Sequence, residues 1–294
     1  IRFASNTFYS LPKYLKQQGY ATYVSHANNP SFWNRSAMYK SLGFDKFFSN
    51  NDFTLDEYIG WGLGDTSFYR QSLDKIDTSK PFYGFFISLS SHYPYKYEYF
   101  ENYDFDVGDL EGTFLGYYLK AANYADKALG TLIDELKNRG LYDNTLLVIY
   151  GDHSAVPNEY SNELIGFLKL EDNAFEWMKL QKVPLIIHCP GLDKGGIVGT
   201  TGGEIDILPT IANLMGFETE YALGKDLLNC PKGYAVLRNG SVVTDSYIYF
   251  SNENKAYDIT TGDVIDEAKY KQDMEKFKYE LVISDIIINK DVFK

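Results

Sequence analysis

The sequence predicts an α/β protein, with a mostly parallel sheet flanked by helices and then a small antiparallel α+β subdomain. Apolar runs rich in β-branched and aromatic residues alternate with helical patterns over residues 1–220, which is typical of a parallel sheet. In residues 221–294 the pattern changes to an Asn239-Gly240 turn and period-two alternation. Hydrophobic residues make up 45% of the chain and charged residues 23%, which indicates a sizeable core.

The first half of the chain alternates between helix and strand. Ser10 is a favoured N-cap and Gly19 a favoured C-terminal residue, so a short helix is expected between them. In order, the patterns then predict a strand over 20–26, a loop over 30–52, a helix over 65–76 and a strand over 81–90.

The clearest helix of the sequence covers residues 113–139. Its apolar residues recur at spacings of three and four, and Gly140 ends it. The remaining patterns predict strands over 145–150, 183–188 and 242–250, and helices over 207–215 and 266–278.

The strand over 145–150 leads into Gly151-Asp152-His153. Ligands bind at the carboxyl ends of strands in open α/β sheets, and a carboxylate and a neutral imidazole both bind divalent cations. The alternative is an aspartate that caps the next segment beside a packed histidine, and the two residues alone favour that alternative.

Three of the four histidines (His26, His92 and His153) lie at or just after predicted strand ends, so we expect them to share one cleft. His188 has no acidic neighbour in sequence and is interpreted as structural or peripheral.

Trp33 and Arg35 form a second group of candidate site residues. The planar guanidinium of arginine matches phosphate oxygens, and a tryptophan ring offers a flat apolar surface to a small polyol. The alternative interpretation is that Trp33 holds a loop in place by packing and that Arg35 pairs with a surface carboxylate.

Composition and motifs exclude several functions. The net charge of −12 argues against nucleic-acid binding, and no apolar run reaches the roughly 18 residues of a membrane span. Cys189 and Cys230 cannot form a disulfide framework. The chain has no Gly-x-Ser-x-Gly elbow, no Walker A loop, no Gly-x-Gly-x-x-Gly fingerprint and no Cys-x-Pro-x-Arg signature.

Several segments together resemble the extracellular domain of lipoteichoic acid synthases, which are polyglycerol-phosphate transferases of the sulfatase/alkaline-phosphatase superfamily. The Phe-Trp-Asn-Arg segment is the most specific of the shared motifs, whereas Gly-Asp-His and Asp-x-x-Pro-Thr are common to the superfamily. The matching segments, in order, are 11–48, 89–95, 140–153, 183–191 and 202–216.

The resemblance implies roles for these residues. Asp152 and His153 would bind a catalytic Mn²⁺ or Mg²⁺, Trp33 and Arg35 would hold glycerol phosphate, and His26 and His92 would line that pocket as catalytic and substrate-binding groups. The family takes glycerol phosphate from phosphatidylglycerol onto a threonine and passes it to the growing polyglycerol-phosphate chain. It acts at the outer face of a Gram-positive-type membrane, to which an N-terminal anchor attaches it.

The chain departs from the family pattern at its beginning. The threonine nucleophile and a glutamate metal ligand precede the equivalent of Leu11 in the family, but only ten residues precede it here. We therefore expect an N-terminally truncated chain that lacks the first strand or strands, binds metal weakly and is inactive alone. Other enzymes of the superfamily (a phosphodiesterase, sulfatase or phosphoethanolamine transferase) and a non-catalytic wall-polymer-binding domain remain alternatives.

Overall fold

The computed structural model describes residues 2–192 and 195–294, which divide into two compact units. The larger unit spans residues 12–190, and the second combines residues 2–11 with those from 191 onward. The sequence predicts a division at residue 220, whereas residues 191–220 group with the C-terminal part in the structure. The reason is local pairing: Asp206 binds Lys225, and the Thr201 amide donates to Asp245.

The larger unit alternates helices and strands. Its helices are α1 (Leu11–Gln17), α2 (Arg35–Leu42), α3 (Asp65–Asp74), α4 (Glu98–Glu101), α5 (Phe114–Asn138), α6 (Ser161–Leu168) and α7 (Ala174–Lys179). Its strands are β1 (Ala21–Ser25), β2 (Lys46–Phe48), β3 (Tyr58–Ile59), β4 (Gly62–Leu63), β5 (Phe82–Phe86), β6 (Leu147–Tyr150) and β7 (Leu185–His188).

The predicted parallel sheet is confirmed in strands β2, β1 and β5, which pair in that order. Val24 lies at its centre, fully buried, with Phe47 and Phe85 as neighbours on either side. Strands β6 and β7 pair antiparallel with each other. Because β1 and β5 run parallel, their carboxyl ends lie at the same edge of their sheet.

The core of the larger unit lies around α3 and α5. The Thr113 hydroxyl caps α5 by accepting from the Gly116 amide, and Gly140 follows the helix at φ +67°. The buried side chains of α5 recur at spacings of three and four, and Leu132 and Leu136 are the members of the predicted apolar face that are fully buried. Burial of a leucine contributes about 1.5–3 kcal/mol by removing it from water. The buried apolar residues of this core include Ile59, Leu63, Phe68, Leu73, Tyr95, Phe100, Ala121, Tyr124, Ala128, Leu132 and Leu136.

The predicted loop over residues 30–52 is wrong in part, because α2 and β2 lie within it. Helix α2 buries only Tyr39, so its sequence carries no apolar stripe that would reveal a helix. Gly43 ends the helix in the left-handed region at φ +97°.

The second unit contains α8 (Ile207–Met215), β8 (Tyr234–Val236), β9 (Val242–Thr244), β10 (Tyr247–Phe250), β11 (Lys255–Asp258) and α9 (Lys271–Lys290). The four strands form an antiparallel sheet in the order β11-β10-β9-β8, which confirms the antiparallel C-terminal part.

Two predicted elements of this unit have different bounds. Residues 242–250 form two strands rather than one, because the Thr244 hydroxyl accepts from the Ser246 and Tyr247 amides and closes a turn. The helix predicted over 266–278 begins at Lys271 and continues to Lys290. No helix of the described residues is long and apolar enough to cross a membrane.

Candidate active site

His26 follows β1 and is held in a fixed orientation. Its side chain is 2% exposed, and its Nδ1 lies 3.0 Å from the Ile87 carbonyl oxygen. A carbonyl only accepts, so Nδ1 carries the hydrogen and Nε2 is left as an acceptor. Burial lowers the pKa of His26 to about 4, and the Arg35 charge adds to the lowering, whereas the carbonyl contact opposes it. His26 is therefore neutral at neutral pH.

Arg35 begins α2, next to two residues in the left-handed region, Trp33 at φ 57° and Asn34 at φ 55°. Its Nη1 donates to the Tyr39 hydroxyl one turn later. Its Nε is buried and has no hydrogen-bond partner among the described residues. An unpaired buried guanidinium donor is costly, so this group is suited to an incoming anion.

The loop after β5 carries His92, and buried Asp65 fixes the start of this loop. Asp65 Oδ1 accepts from the amides of Leu89 and Ser90 at 2.8 and 3.1 Å. Burial raises the pKa of Asp65, and these two donors oppose the rise. His92 Nδ1 lies 2.7 Å from the Tyr93 carbonyl oxygen, so its Nε2 is the nitrogen left for chemistry.

Asp152 and His153 follow β6, as predicted, and both are exposed, at 73% and 58% of their side chains. Gly151 packs closely, since a Cβ there would lie 3.0 Å from the Val183 side chain, which would have to shift. His153 Nδ1 lies 2.8 Å from the Ser154 carbonyl oxygen, which fixes the ring and leaves Nε2 free. The predicted pair therefore lies on the surface of the larger unit, and neither side chain is in the core.

The structure brings the predicted residues together. The ring centroids of His92 and His153 are 5.8 Å apart, and the Tyr95 hydroxyl bonds the Ala155 carbonyl, which joins the loops that carry them. The charges of Arg35 and His92 lower the pKa of His26 and that of Asp152 raises it, so these groups lie within electrostatic range of His26. The cluster combines a guanidinium, two imidazoles and an acid–imidazole pair.

The acid–imidazole pair fits a divalent cation in part. Asp152 Oδ1 and His153 Nε2 are 3.8 Å apart, which is compatible with two bonds of about 2.1 Å to one ion. In residues 2–192 and 195–294, no group of three or more His, Cys, Asp or Glu is placed to hold a metal ion. A catalytic metal needs at least three protein ligands, so the described part of the chain offers two of them.

Trp61 is an aromatic neighbour of this cluster that was not predicted from the sequence. Trp61 lies in the turn between β3 and β4, and its ring centroid is 5.2 Å from that of His92. Phe32 links it to Trp33, with ring centroids 6.1 Å from each. The signal available in the sequence was the Gly60-Trp61-Gly62 triplet, because an aromatic between two glycines is typical of an exposed turn.

His188 is separate from this cluster. Its ring stacks on Tyr142 with centroids 4.3 Å apart, and its Nε2 is buried. The structure is consistent with a packing role at this position. Cys189 and Cys230 are both free thiols.

Comparison with solved structures defines the class of the protein. A protein of the alkaline phosphatase superfamily from Vibrio parahaemolyticus superposes with a TM-score of 0.73 at 20% identity, covering 99% of this chain and 71% of that chain. The lipoteichoic acid synthase LtaP from Listeria monocytogenes superposes with a TM-score of 0.88 at 31% identity, covering 98% and 74%. The fold is therefore that of the alkaline phosphatase superfamily.

Sequence comparison gives the family. The sulfatase family profile matches residues 3–217, and the chain belongs to this family, within which it is lipoteichoic acid synthase-like. The lipoteichoic acid synthase-like protein YvgJ of Bacillus subtilis (strain 168) is 36% identical over 304 residues, covering 99% of this chain and 48% of YvgJ. The chain thus spans about half the length of that relative.

Proposed function

We propose that the chain forms the C-terminal part of a metal-dependent glycerophosphotransferase that acts at the outer face of a cell membrane. It moves glycerol phosphate from phosphatidylglycerol to a growing polyglycerol-phosphate (lipoteichoic acid) chain. The observation that carries the proposal is the buried Nε of Arg35, which has no hydrogen-bond partner among the described residues. Its charge, like those of His92 and Asp152, acts on His26. A phosphate monoanion or dianion satisfies that donor, and a sequence relationship to lipoteichoic acid synthases supports the substrate class.

Each residue of the cluster has a part in this function. The Arg35 guanidinium binds the phosphate oxygens, and neutral His26 accepts a hydrogen bond from a glycerol hydroxyl at Nε2. Trp33, which is 76% exposed, provides a flat wall for the glycerol carbons. The assignment of His26 as an acceptor follows from its low pKa, which disfavours a role as proton donor.

The transfer has two displacements. A threonine hydroxyl from outside this chain loses its proton to solvent as its oxygen attacks phosphorus. The bond between phosphorus and the diacylglycerol oxygen breaks, and His92 passes a proton from Nε2 to that oxygen. The hydroxyl at the end of the acceptor chain then attacks the phosphothreonine and gives its proton to His92 Nε2. The bond between phosphorus and the threonine oxygen breaks, and the threonine oxygen takes a proton from solvent. Asp152 and His153, together with ligands from outside the chain, would hold one Mn²⁺ or Mg²⁺, which would supply electrostatic stabilisation of the phosphoryl oxygens.

The test measures diacylglycerol release from vesicles that contain fluorescent phosphatidylglycerol, in the presence of Mn²⁺. We expect release by a longer protein that contains this chain, and none by the chain alone. Replacing Arg35→Ala should lower the rate by about a hundredfold, since a charge-assisted contact to the reacting group is lost. Arg139→Ala is the matched control, because this arginine pairs with Asp74 and Glu135, outside the cluster.

Two results contradict the proposal. If Arg35→Ala releases diacylglycerol at the rate of the unchanged protein, Arg35 does not bind the phosphate. If the product is free glycerol phosphate and no polymer is extended, the protein is a phosphodiesterase of the same superfamily.

A further inference from the structure

An exposed aromatic surface borders the candidate active site. We call it the aromatic ridge, and it consists of residues from two segments, 32–33 and 55–61. Phe32 and Trp33 are 42% and 76% exposed, and Trp61 is 43% exposed. Leu55 and Tyr58 extend the ridge and are 61% and 63% exposed. Large apolar side chains that are exposed together, rather than singly, mark interaction sites.

A pocket of about 290 Å³ lies within the ridge. It is lined by Ala27, Asn50, Phe53, Leu55, Tyr58 and Trp61, among others. The pocket adjoins the candidate active site, since Ala27 directly follows His26 and the Trp61 ring contacts His92. A molecule bound at Arg35 and His92 therefore has a second place to extend into.

The hairpin of β3 and β4 is built to keep this pocket in place. A Cβ on Gly62 would overlap the carbonyl oxygen of Ala27, so glycine allows the hairpin to lie against the end of β1. Gly60 adopts φ +63° in the turn before Trp61, a conformation that favours glycine. The position of Trp61 thus depends on two backbone requirements that other residues do not meet.

The lining of the pocket favours an uncharged ligand, because none of its lining side chains is charged. The nearby charges of both signs are engaged elsewhere: Asp56 pairs with Arg70 at 3.5 Å, and the Tyr124 hydroxyl donates to Glu57. Lys75 lies over the Phe53 ring at 5.4 Å. The pocket is therefore suited to an apolar or weakly polar group.

We propose that the aromatic ridge and its pocket bind the uncharged part of the phospholipid donor, namely its glycerol ester region and the first acyl methylenes. This rests on the proposed function, in which the phosphate of the same lipid lies at Arg35. Tryptophan and tyrosine are suited to this part of a lipid, because their rings are apolar and their N–H or O–H groups stay in polar surroundings. The ridge gives the enzyme a means to prefer a lipid ester over a soluble phosphodiester.

The test compares two ligands by isothermal titration calorimetry on this chain with Mn²⁺ present. One is glycerol phosphate, and the other is dihexanoyl phosphatidylglycerol below its critical micelle concentration. We expect the lipid to bind about tenfold more tightly, through burial of its apolar atoms. The double variant Leu55→Ser with Tyr58→Ser should abolish that advantage and leave the affinity for glycerol phosphate unchanged. Tyr279→Ala is the control, since Tyr279 is 66% exposed in α9.

The outcomes separate this inference from the proposed function. If the double variant keeps the tenfold preference for the lipid, the ridge does not bind it. If a neutral sugar such as methyl glucoside binds in a way that the double variant abolishes, and the lipid gains no affinity over glycerol phosphate, the pocket is a sugar site. If Arg35→Ala leaves the binding of both ligands unchanged, it is the proposed function that fails.

Discussion

Replacing His26→Asn should remove a loss of stability that the protein undergoes on acidification. The imidazole is 2% exposed, and its Nδ1 contacts the Ile87 carbonyl oxygen at 3.0 Å. Burial is the largest cause of its low pKa, about 4 against an ordinary 6.5, and the charges of Arg35 and His92 add to it. Asparagine can donate to the same carbonyl and does not titrate, which makes it a suitable replacement.

The sign and size of the effect follow from this pKa. Between pH 6.5 and about 4 the unfolded chain binds a proton on His26 that the folded chain refuses, so the free energy of unfolding falls as the pH falls. The stability is fully present above pH 6.5 and levels off near pH 4. The fall in the pKa of His26 from 6.5 to about 4 corresponds to a change of about 3 kcal/mol in the free energy of unfolding.

The assay is urea unfolding followed by far-ultraviolet circular dichroism, at intervals from pH 7.5 to 4.5, on both proteins. Any difference at pH 7.5 reports altered packing, and only the change in that difference with pH reports the proton. Asp45 and Asp245, whose carboxyl pKa values are lowered in the fold, affect both proteins equally. Parallel stability curves over the whole range would refute the reasoning, because His26 would then not resist protonation in the fold.

Two further predictions concern stability. In α5, Gly116→Ala should destabilise the protein by more than about 2 kcal/mol, because its Cβ would overlap the Leu110 carbonyl oxygen. A Cβ at Gly130 meets open space, so Gly130→Ala should stabilise the protein by about 0.5–1 kcal/mol. Equal midpoints in urea for these two variants would contradict the contact. In the second unit, Asp206→Asn should cost about 3 kcal/mol, because its side chain is 1% exposed and binds the Lys225 Nζ at 2.8 Å. Lys225→Met should lower the free energy of unfolding by a similar amount. In a double-mutant cycle, the loss of stability in the double variant should be clearly smaller than the sum of the two single losses. Strict additivity would show that the pair does not interact.

The sequence by itself determined the elements whose signal is local. The apolar face of α5 and its glycine end predicted that helix to within one residue at each end. The strands β1, β5 and β6 were predicted from short apolar runs, and with them the positions of the histidines and Asp152 after the strand ends. Such patterns are readable because burial of one face imposes a period on consecutive residues.

The tertiary structure alone decided which of these residues meet and what lies beside them. The hairpin of β3 and β4 has strands of two residues, too short for any period to show, yet it places Trp61 against His92. Helix α2 is fixed by the packing of Tyr39 and not by an apolar stripe. The low pKa of His26 depends on burial by segments far along the chain. Contacts between distant segments leave no periodic mark in a sequence, because each depends on where the whole backbone has brought its two partners.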